Sequence, residues 1–135
     1  MEHSRHPEFA FRLDLHSGVP VYRQIIDQVQ AAVATKVLKT GDQLPTVRRV
    51  AVDLAINPNT VARAYREMEL RGILDTQHGT GTFVGERPVE RSPEEKQRLL
   101  NQLCKEVMAR AGSAGFTADE VLQALLLLSP EPPNP

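Results

Sequence analysis

The chain has 135 residues, a length typical of one domain with at most a small appendage. Hydrophobic residues make up 41% and charged residues 24%, which indicates a soluble, folded protein and excludes a disordered one. The formal net charge of −1 excludes a bulk polycation, so any binding to nucleic acid must depend on local charge. Residues 1–88 carry 11 basic and 10 acidic side chains, and the remainder carry 5 and 7, so the front part is the better candidate for a phosphate-facing surface.

Cysteine content and hydropathy remove further classes of protein. Cys104 is the single cysteine, which excludes an internal disulfide and a zinc cluster built on thiolates. The longest apolar run, residues 124–128, is far shorter than the roughly 20 residues that span a bilayer. Residues 1–7 lack the apolar core of a signal peptide, so we expect a cytoplasmic protein without membrane association. The histidines are not clustered with carboxylates, so neither a metal site nor a cofactor is expected.

The first predicted elements are an arm and a helix. Residues 1–8 form a polar arm that we expect to be flexible, and residues 9–15 alternate in polarity, which is typical of a short extended segment. Pro20 then opens a core helix predicted over about residues 20–36. Its apolar stripe recurs at helical spacing and consists of Val21, Ile25, Val29, Ala32 and Val33.

Two short helices joined by a tight turn are predicted next. Thr46 can cap the first of them, whose buried stripe consists of Val47, Val50, Ala51 and Leu54. Asn57 is a good N-cap for the second helix, and Pro58 suits its first position. The second helix runs to Arg71, and Gly72 ends it. This arrangement is the helix-turn-helix pattern.

A β-hairpin is predicted directly after these helices. Residues 73–77 and 82–84 are β-type runs on either side of the turn His78-Gly79-Thr80-Gly81. A hairpin in this position is a wing, so residues 9–86 are predicted to form a winged helix-turn-helix domain. The predicted fold class is therefore α+β, with this domain followed by a short all-α segment of two helices.

The last third of the chain predicts two helices and a tail. Ser92 and Thr117 each begin a capping box, and the Pro-rich residues 129–135 are expected to be disordered. The apolar stripes of the two helices are wider than a two-helix hairpin can cover, so we expect residues 92–128 to form a homodimer interface. Cys104 lies on the same stripe and is interpreted as a core thiol, with a redox role as the alternative. The residues assigned to the interface are Leu99, Leu100, Leu103, Val107, Met108, Val121, Leu122, Leu125, Leu126 and Leu128.

The polar face of the second helix of the pair carries the candidate chemistry. On a helical wheel, Asn59, Arg63 and Arg66 lie opposite an apolar cluster, with Thr60 nearer the edge; that cluster consists of Val61, Ala64, Tyr65 and Met68. Arginine and asparagine can bond bidentately to guanine and adenine edges in a major groove, and arginine or threonine can anchor phosphate. A solvated surface helix would show the same wheel, but the preceding helix and the following hairpin favour DNA binding.

Several stretches resemble the winged helix-turn-helix of the GntR family of bacterial transcription regulators. These are Leu44-Pro45-Thr46-Val47-Arg48, Asn57-Pro58-Asn59-Thr60-Val61 with Ala64-Tyr65-Arg66-Glu67-Met68-Glu69, and Gly79-Thr80-Gly81-Thr82-Phe83-Val84. The opening Ser17-Gly18-Val19-Pro20-Val21-Tyr22-Arg23-Gln24-Ile25 and the short C-terminal part are similar to the YtrA-type subgroup. The likeness covers about residues 9–85.

This resemblance implies a non-enzymatic, sequence-specific regulator that binds double-stranded DNA, acting as a homodimeric repressor on a palindromic operator. It places Arg48 on DNA from the first helix of the pair and the wing tip in the minor groove. Pro58 stands where other subgroups often have a base-reading arginine, so their base preferences are not transferred. Arg49 has no clear counterpart, and it contacts phosphate or solvent. The predicted DNA-binding residues are Arg48, Arg49, Asn57, Asn59, Thr60, Arg63, Arg66, His78, Gly79 and Thr80.

Two other classes of function are alternatives. The run from Gly79 to Gly85 superficially resembles a dinucleotide-binding loop, but it opens a β-type run where such a loop would open a helix. The second alternative is a protein-interaction module, in which the winged helix contacts another protein and the C-terminal helices act as an adaptor. His78 has a separate alternative, as a plain turn residue. The C-terminal part is too short to enclose a ligand pocket of roughly 300–1,000 Å³, and the sequence leaves any small-molecule effector unknown.

Overall fold

The computed structural model describes residues 9–86 and 91–128, which fall into two compact units on either side of the gap. The predicted arm over residues 1–8 and the predicted tail over residues 129–135 lie outside the described residues. Among the helices of the described ranges, none is both long and apolar enough to cross a membrane.

The first unit contains three helices and a small antiparallel sheet. The helices are α1 (Val21–Ala34), α2 (Val47–Leu54) and α3 (Pro58–Leu70). The strands are β1 (Gln43–Leu44), β2 (Leu74–Gln77) and β3 (Gly81–Val84), in the spatial order β1-β3-β2. This is the predicted winged helix-turn-helix, with β2 and β3 as the wing.

One apolar core holds the first unit together. Helices α1 and α2 pack on α3, and α3 also packs on β2. Ile25, Val29, Val61 and Met68 are fully buried, which confirms the predicted stripes of α1 and α3. The prediction for Val33 is wrong, because its side chain is 40% exposed; Ile26, which flanks the predicted stripe, is 1% exposed and belongs to the core.

Strand β1 has no counterpart in the sequence prediction. It has only two residues, too few to show any periodicity. It is a strand because β3 lies beside it, with Gln43 paired to Phe83 and Leu44 paired to Thr82. The sheet partner, and not the local sequence, makes this segment extended.

The segment before α1 is held by two glutamines of that helix. Residues 9–14 belong to no strand or helix, and the expectation of an extended segment stays a prediction. Gln28 bonds both the N–H and the C=O of Arg12, and Gln24 accepts from the Asp14 N–H at 2.8 Å and donates to its carbonyl at 2.9 Å. The backbone of this segment is therefore tied to α1.

The second unit is a pair of helices, α4 (Pro93–Ser113) and α5 (Ala118–Leu128). Both predicted N-terminal caps are confirmed: the Ser92 hydroxyl accepts from the Glu95 N–H at 3.1 Å, and the Thr117 hydroxyl accepts from the Glu120 N–H at 3.2 Å. The Glu120 carboxylate returns a bond to the Thr117 N–H at 2.9 Å, which completes a reciprocal capping box.

No residue of α4 or α5 is buried within the single chain. The two helices contact each other, but each has its apolar stripe only partly covered. The interpretation of Cys104 as a core thiol is wrong for this unit, because its side chain is exposed. A lone pair of helices cannot surround any side chain from all directions, so the core that this interpretation assumed does not exist within one copy.

Candidate nucleic-acid interface

The start of α3 is fixed by local chemistry. Asn57 has extended backbone angles, and its side-chain oxygen accepts from the Asn59 N–H at 2.8 Å. Pro58 occupies the first turn, where its missing N–H leaves no unsatisfied donor. The predicted cap is confirmed. Because the cap uses one lone pair of the Asn57 oxygen, the amide NH₂ is left to donate to a further partner.

The turn between α2 and α3 contains a residue that the sequence did not single out. Ala55 has φ 56° and ψ 47°, the left-handed conformation that costs a non-glycine residue roughly 1–2 kcal/mol. The N–H groups of Ala55 and Ile56 bond back to the carbonyls of Val52 and Ala51, closing the end of α2. This closure lets the chain enter the Asn57 cap within two residues.

A buried hydroxyl joins the two helices. The Tyr65 Oη donates to the Pro45 carbonyl at 2.6 Å, which ties the middle of α3 to the segment that leads into α2. Burial raises the pKa of the Tyr65 phenol, so this hydroxyl stays protonated and remains a donor. The Thr46 hydroxyl next to it caps α2 by accepting from the Arg49 N–H at 3.1 Å, as predicted. The two helices are therefore held in one arrangement.

The two faces of α3 divide as the helical wheel predicts. Val61, Ala64, Tyr65 and Met68 are buried in the core. Asn59, Arg63 and Arg66 are exposed, and Thr60 is half-buried at the edge between the faces. The exposed face therefore presents one amide and two guanidinium groups beside a hydroxyl.

Arg63 is stacked on an aromatic ring. Its guanidinium carbon lies 3.8 Å from the centroid of the Tyr22 ring, on the first turn of α1. This is a cation–π contact between the two helices. Tyr22 carries no signal for such a role in the sequence, where it merely flanks the apolar stripe of α1.

The arginines of α2 differ in their surroundings. Arg49 pairs with Asp53 one turn along the helix, with Nε and Oδ2 3.2 Å apart and both side chains mostly exposed. Within the described residues, Arg48 and Arg66 form no ion pair. Because an exposed pair such as Arg49–Asp53 contributes roughly 0–1 kcal/mol, it does not hold Arg49 strongly.

The wing tip consists of His78, Gly79 and Thr80, all exposed. Gly79 has φ +75°, which the turn requires and which glycine adopts without strain. The Gln43 side chain of β1 donates to the Thr80 carbonyl at 3.3 Å, which ties the wing tip to β1. Gly81 has φ +139°, a backbone conformation that residues with a side chain rarely adopt, so glycine is needed there for the turn. Sequence reasoning missed Gln43, because only the sheet brings it to the wing.

The wing is also joined to the far end of α3. The Thr76 hydroxyl hydrogen-bonds the Glu69 carboxylate, and Arg71 pairs with Glu67 in the last turn of the helix. The predicted DNA-binding residues thus lie on three connected elements: α2, α3 and the β2–β3 turn. No group of three or more metal-ligating side chains occurs in the part of the chain that the structure describes.

Comparison with known proteins gives one consistent family. The family model "Bacterial regulatory proteins, gntR family" matches residues 21–84. The chain is 38% identical over 109 residues to the uncharacterized HTH-type transcriptional regulator YhcF of Bacillus subtilis, covering 81% of this chain and 89% of that protein. It is 34% identical over 110 residues to the HTH-type transcriptional repressor YtrA of the same species, covering 82% and 85%.

A solved structure agrees with these relatives. YtrA from Sulfolobus acidocaldarius, a GntR-family transcription factor, superimposes with a TM-score of 0.53 at 30% identity, over 73% of this chain and 97% of that one. These likenesses extend past β3 into the second unit, so they cover more than the winged domain. The chain therefore belongs to the GntR family of bacterial transcription regulators, a family of DNA-binding proteins and not of enzymes, and is similar to its YtrA members.

Proposed function

We propose that this regulator is a sequence-specific repressor that binds a palindromic operator as a homodimer. The observation that carries the proposal is the exposed face of α3, which has Asn59, Arg63 and Arg66 on it and an exposed hairpin tip on the same unit. Repression is inferred from the similarity to YtrA of Bacillus subtilis, a transcriptional repressor.

In this proposal each predicted residue contacts a particular part of the DNA. Asn59, Thr60, Arg63 and Arg66 contact base edges or phosphate from α3 in the major groove. The Asn57 amide contributes a donor at the helix start. Arg48 neutralises phosphate, and Arg49 does so whenever it leaves Asp53. The residues of the wing tip, His78, Gly79 and Thr80, lie along the neighbouring minor groove.

The homodimer is proposed from the exposed apolar surface of the second unit. Seven leucines of α4 and α5 are 49–87% exposed in the single chain: Leu100, Leu103, Leu122, Leu125, Leu126, Leu127 and Leu128. The sequence prediction included all of them except Leu127. Exposed apolar surface of this extent usually marks an interface. The other predicted interface residues, Leu99, Val107, Met108 and Val121, are half-buried or little more exposed.

The energies favour association. Burial of a leucine-sized side chain contributes roughly 1.5–3 kcal/mol, and these side chains are already about half covered, so roughly half of that is left to gain. Leu127 points away from the side of α5 that carries Leu122 and Leu126, so one interface cannot cover it as well. The other six leucines in each of two subunits then contribute on the order of 9–18 kcal/mol, against an association cost of roughly 4–15 kcal/mol. A closed twofold dimer is the commonest arrangement, and it presents two copies of α3 to two half-sites.

Selection of DNA from a random-sequence duplex pool by the full chain tests this function. We expect enrichment of an inverted repeat, a footprint over both halves, and reduced transcription in vitro when that repeat is placed over a promoter. Sedimentation at micromolar concentration should show a dimer. A pool without enrichment contradicts sequence-specific binding, and a monomer contradicts the palindromic operator. Transcription that rises on binding contradicts repression.

A further inference from the structure

The stack between Tyr22 and Arg63 joins a residue outside the predicted DNA-binding set to one inside it. Tyr22 belongs to α1, which the spacing of its apolar residues predicts to be a core helix. Its ring nevertheless lies 3.8 Å from the Arg63 guanidinium, which is exposed on the opposite face of α3 from the core.

The stack holds the guanidinium by its face and leaves its edge free. All five N–H donors of arginine lie in the plane of the group, so a ring beneath the plane uses none of them. Arg49 and Arg71, by contrast, give N–H donors to carboxylates. Within the described residues, no carboxylate pairs with Arg63. Its donors therefore stay available for a bidentate contact while its orientation is restricted.

The Tyr22 ring that stacks on Arg63 is itself held in place by its neighbours. Tyr22 is half-buried and packs against the core, and its neighbours along α1, Ile25 and Ile26, are at most 1% exposed. Gln24 is also buried and binds the segment before α1. The Tyr22 ring is thus held by the packing of the first unit, whereas the Arg63 side chain beside it is long and exposed.

We propose that Tyr22 is a positioning residue that determines base specificity by pre-orienting Arg63 for a base edge of duplex DNA. The proposal rests on the proposed function, because it needs α3 to read DNA. An arginine side chain that is already oriented loses less rotamer freedom on binding than a free one. Loss of the stack should therefore weaken binding and relax the preference at the base that Arg63 contacts.

The expected size follows from the cation–π contact. Such contacts contribute from about 0.5 kcal/mol when exposed to about 2 kcal/mol when desolvated, which corresponds to roughly a 2- to 30-fold change in affinity. An effect at the upper end is expected if DNA excludes water from the stack.

The test uses the full chain and a duplex that the wild-type chain selects from a random pool. Position 22 is varied in three ways: Tyr22→Phe, pentafluorophenylalanine incorporated at position 22, and Tyr22→Leu. Fluorination keeps the shape of the ring but removes the negative potential of its face, so it abolishes the cation–π attraction while leaving the packing in place. Each variant is combined with Arg63→Ala and, as a matched control, with Arg66→Ala. Arg66 shares the exposed face of α3 but stacks on no ring within the described residues.

We expect Tyr22→Phe to bind within about twofold of wild type. The fluorinated ring and Tyr22→Leu should lose roughly 2- to 30-fold in affinity and relax one base position. In the Arg63→Ala background the same changes at position 22 should have no further effect, whereas with Arg66→Ala they should keep their full effect. The midpoint of thermal unfolding should be slightly lower for the fluorinated variant than for the phenylalanine variant, because the stack is also present in the free protein, and this difference should vanish in the Arg63→Ala background.

Other outcomes overturn the proposal. Equal affinity of the phenylalanine and fluorinated variants would show that the ring acts only through packing. A loss that persists in the Arg63→Ala background would show that Tyr22 acts without Arg63, and a loss with Tyr22→Phe would assign the effect to the hydroxyl. If the wild-type chain enriches no duplex at all, the proposed function fails first, and that failure is visible before any variant is made.

Discussion

The two units of this chain differ in how much of their apolar surface they bury by themselves. In the first unit, fifteen apolar side chains are 7% exposed or less. In the second unit, α4 and α5 bury none, although each begins with a side-chain cap, as α2 and α3 do. Local signals therefore specify where the helices lie in both units, but only the first unit has enough layers to make a core.

The number of packing partners explains the difference. Helix α3 has α1, α2 and β2 around it, so its stripe is covered from several sides. Helix α4 has only α5 in contact within its own unit. Isolated helices depend on tertiary burial for most of their stability, so the second unit needs a further surface to become stable. A second copy of the chain would supply that surface, as the proposed homodimer requires.

The largest expected effect comes from removing residues 92–135. We expect the remaining winged unit to fold on its own core and to be monomeric in sedimentation. Its affinity for the operator should fall by about 10²- to 10⁴-fold, because two linked recognition helices gain avidity that one lacks.

A point change in the full chain separates this effect from the deletion itself. Leu125→Asp should produce the same monomer and a similar loss of affinity. Leu70→Asp, at an exposed leucine of the winged unit, should leave the sedimentation coefficient unchanged. A truncated chain that still binds as tightly as the full one would contradict the dimer.

Matched alanine substitutions compare the two units in stability. Met68→Ala removes a fully buried side chain and should lower the free energy of unfolding by about 2–5 kcal/mol. Leu125→Ala, at a side chain 54% exposed, should change it by about 0.5 kcal/mol or less in chains dilute enough to be monomeric. Denaturant titration at two protein concentrations measures both. If Leu125→Ala is as costly as Met68→Ala at high dilution, the second unit has a core of its own.

Arginine substitutions should separate DNA reading from assembly. Arg63→Ala should weaken operator binding by about 1–3 kcal/mol and relax the preference at one base, with no change in sedimentation. Arg48→Ala should weaken binding to all sequences alike and reduce its salt dependence. Arg49→Ala is the control, since Asp53 already pairs with Arg49, and we expect a smaller loss from it. Unchanged operator affinity of Arg63→Ala would show that the recognition face is misplaced.

The smallest expected effect is at the wing tip. His78 is exposed, and its ring can donate a hydrogen bond to a phosphate oxygen or to a base edge of the neighbouring minor groove. His78→Ala should therefore weaken operator binding by about 0.5–1.5 kcal/mol, the net contribution of one hydrogen bond. Titrations of wild type and His78→Ala on the selected duplex measure the loss. Equal affinities of the two proteins would remove His78 from the contact.

The candidate site was only partly predictable from sequence. The caps at Thr46 and Asn57 and the division of α3 into two faces depend on neighbours within one turn, so local patterns predict them. The contact of Gln43 with Thr80 at the wing tip and the contact of Tyr22 with Arg63 each join elements that are distant in the chain. No spacing rule connects them, because a sheet pairing in one case and a helix crossing in the other bring them together.

By itself, the sequence determined the order and type of nearly all the elements and the family of the protein. Periodicity, caps and turn residues act over a few residues and are therefore visible in the chain. The tertiary structure alone decided that β1 is a strand, that Val33 is exposed while Ile26 is buried, and that Cys104 lies on a surface. Each of these depends on what lies across from the residue in space, and a linear pattern carries no information about that.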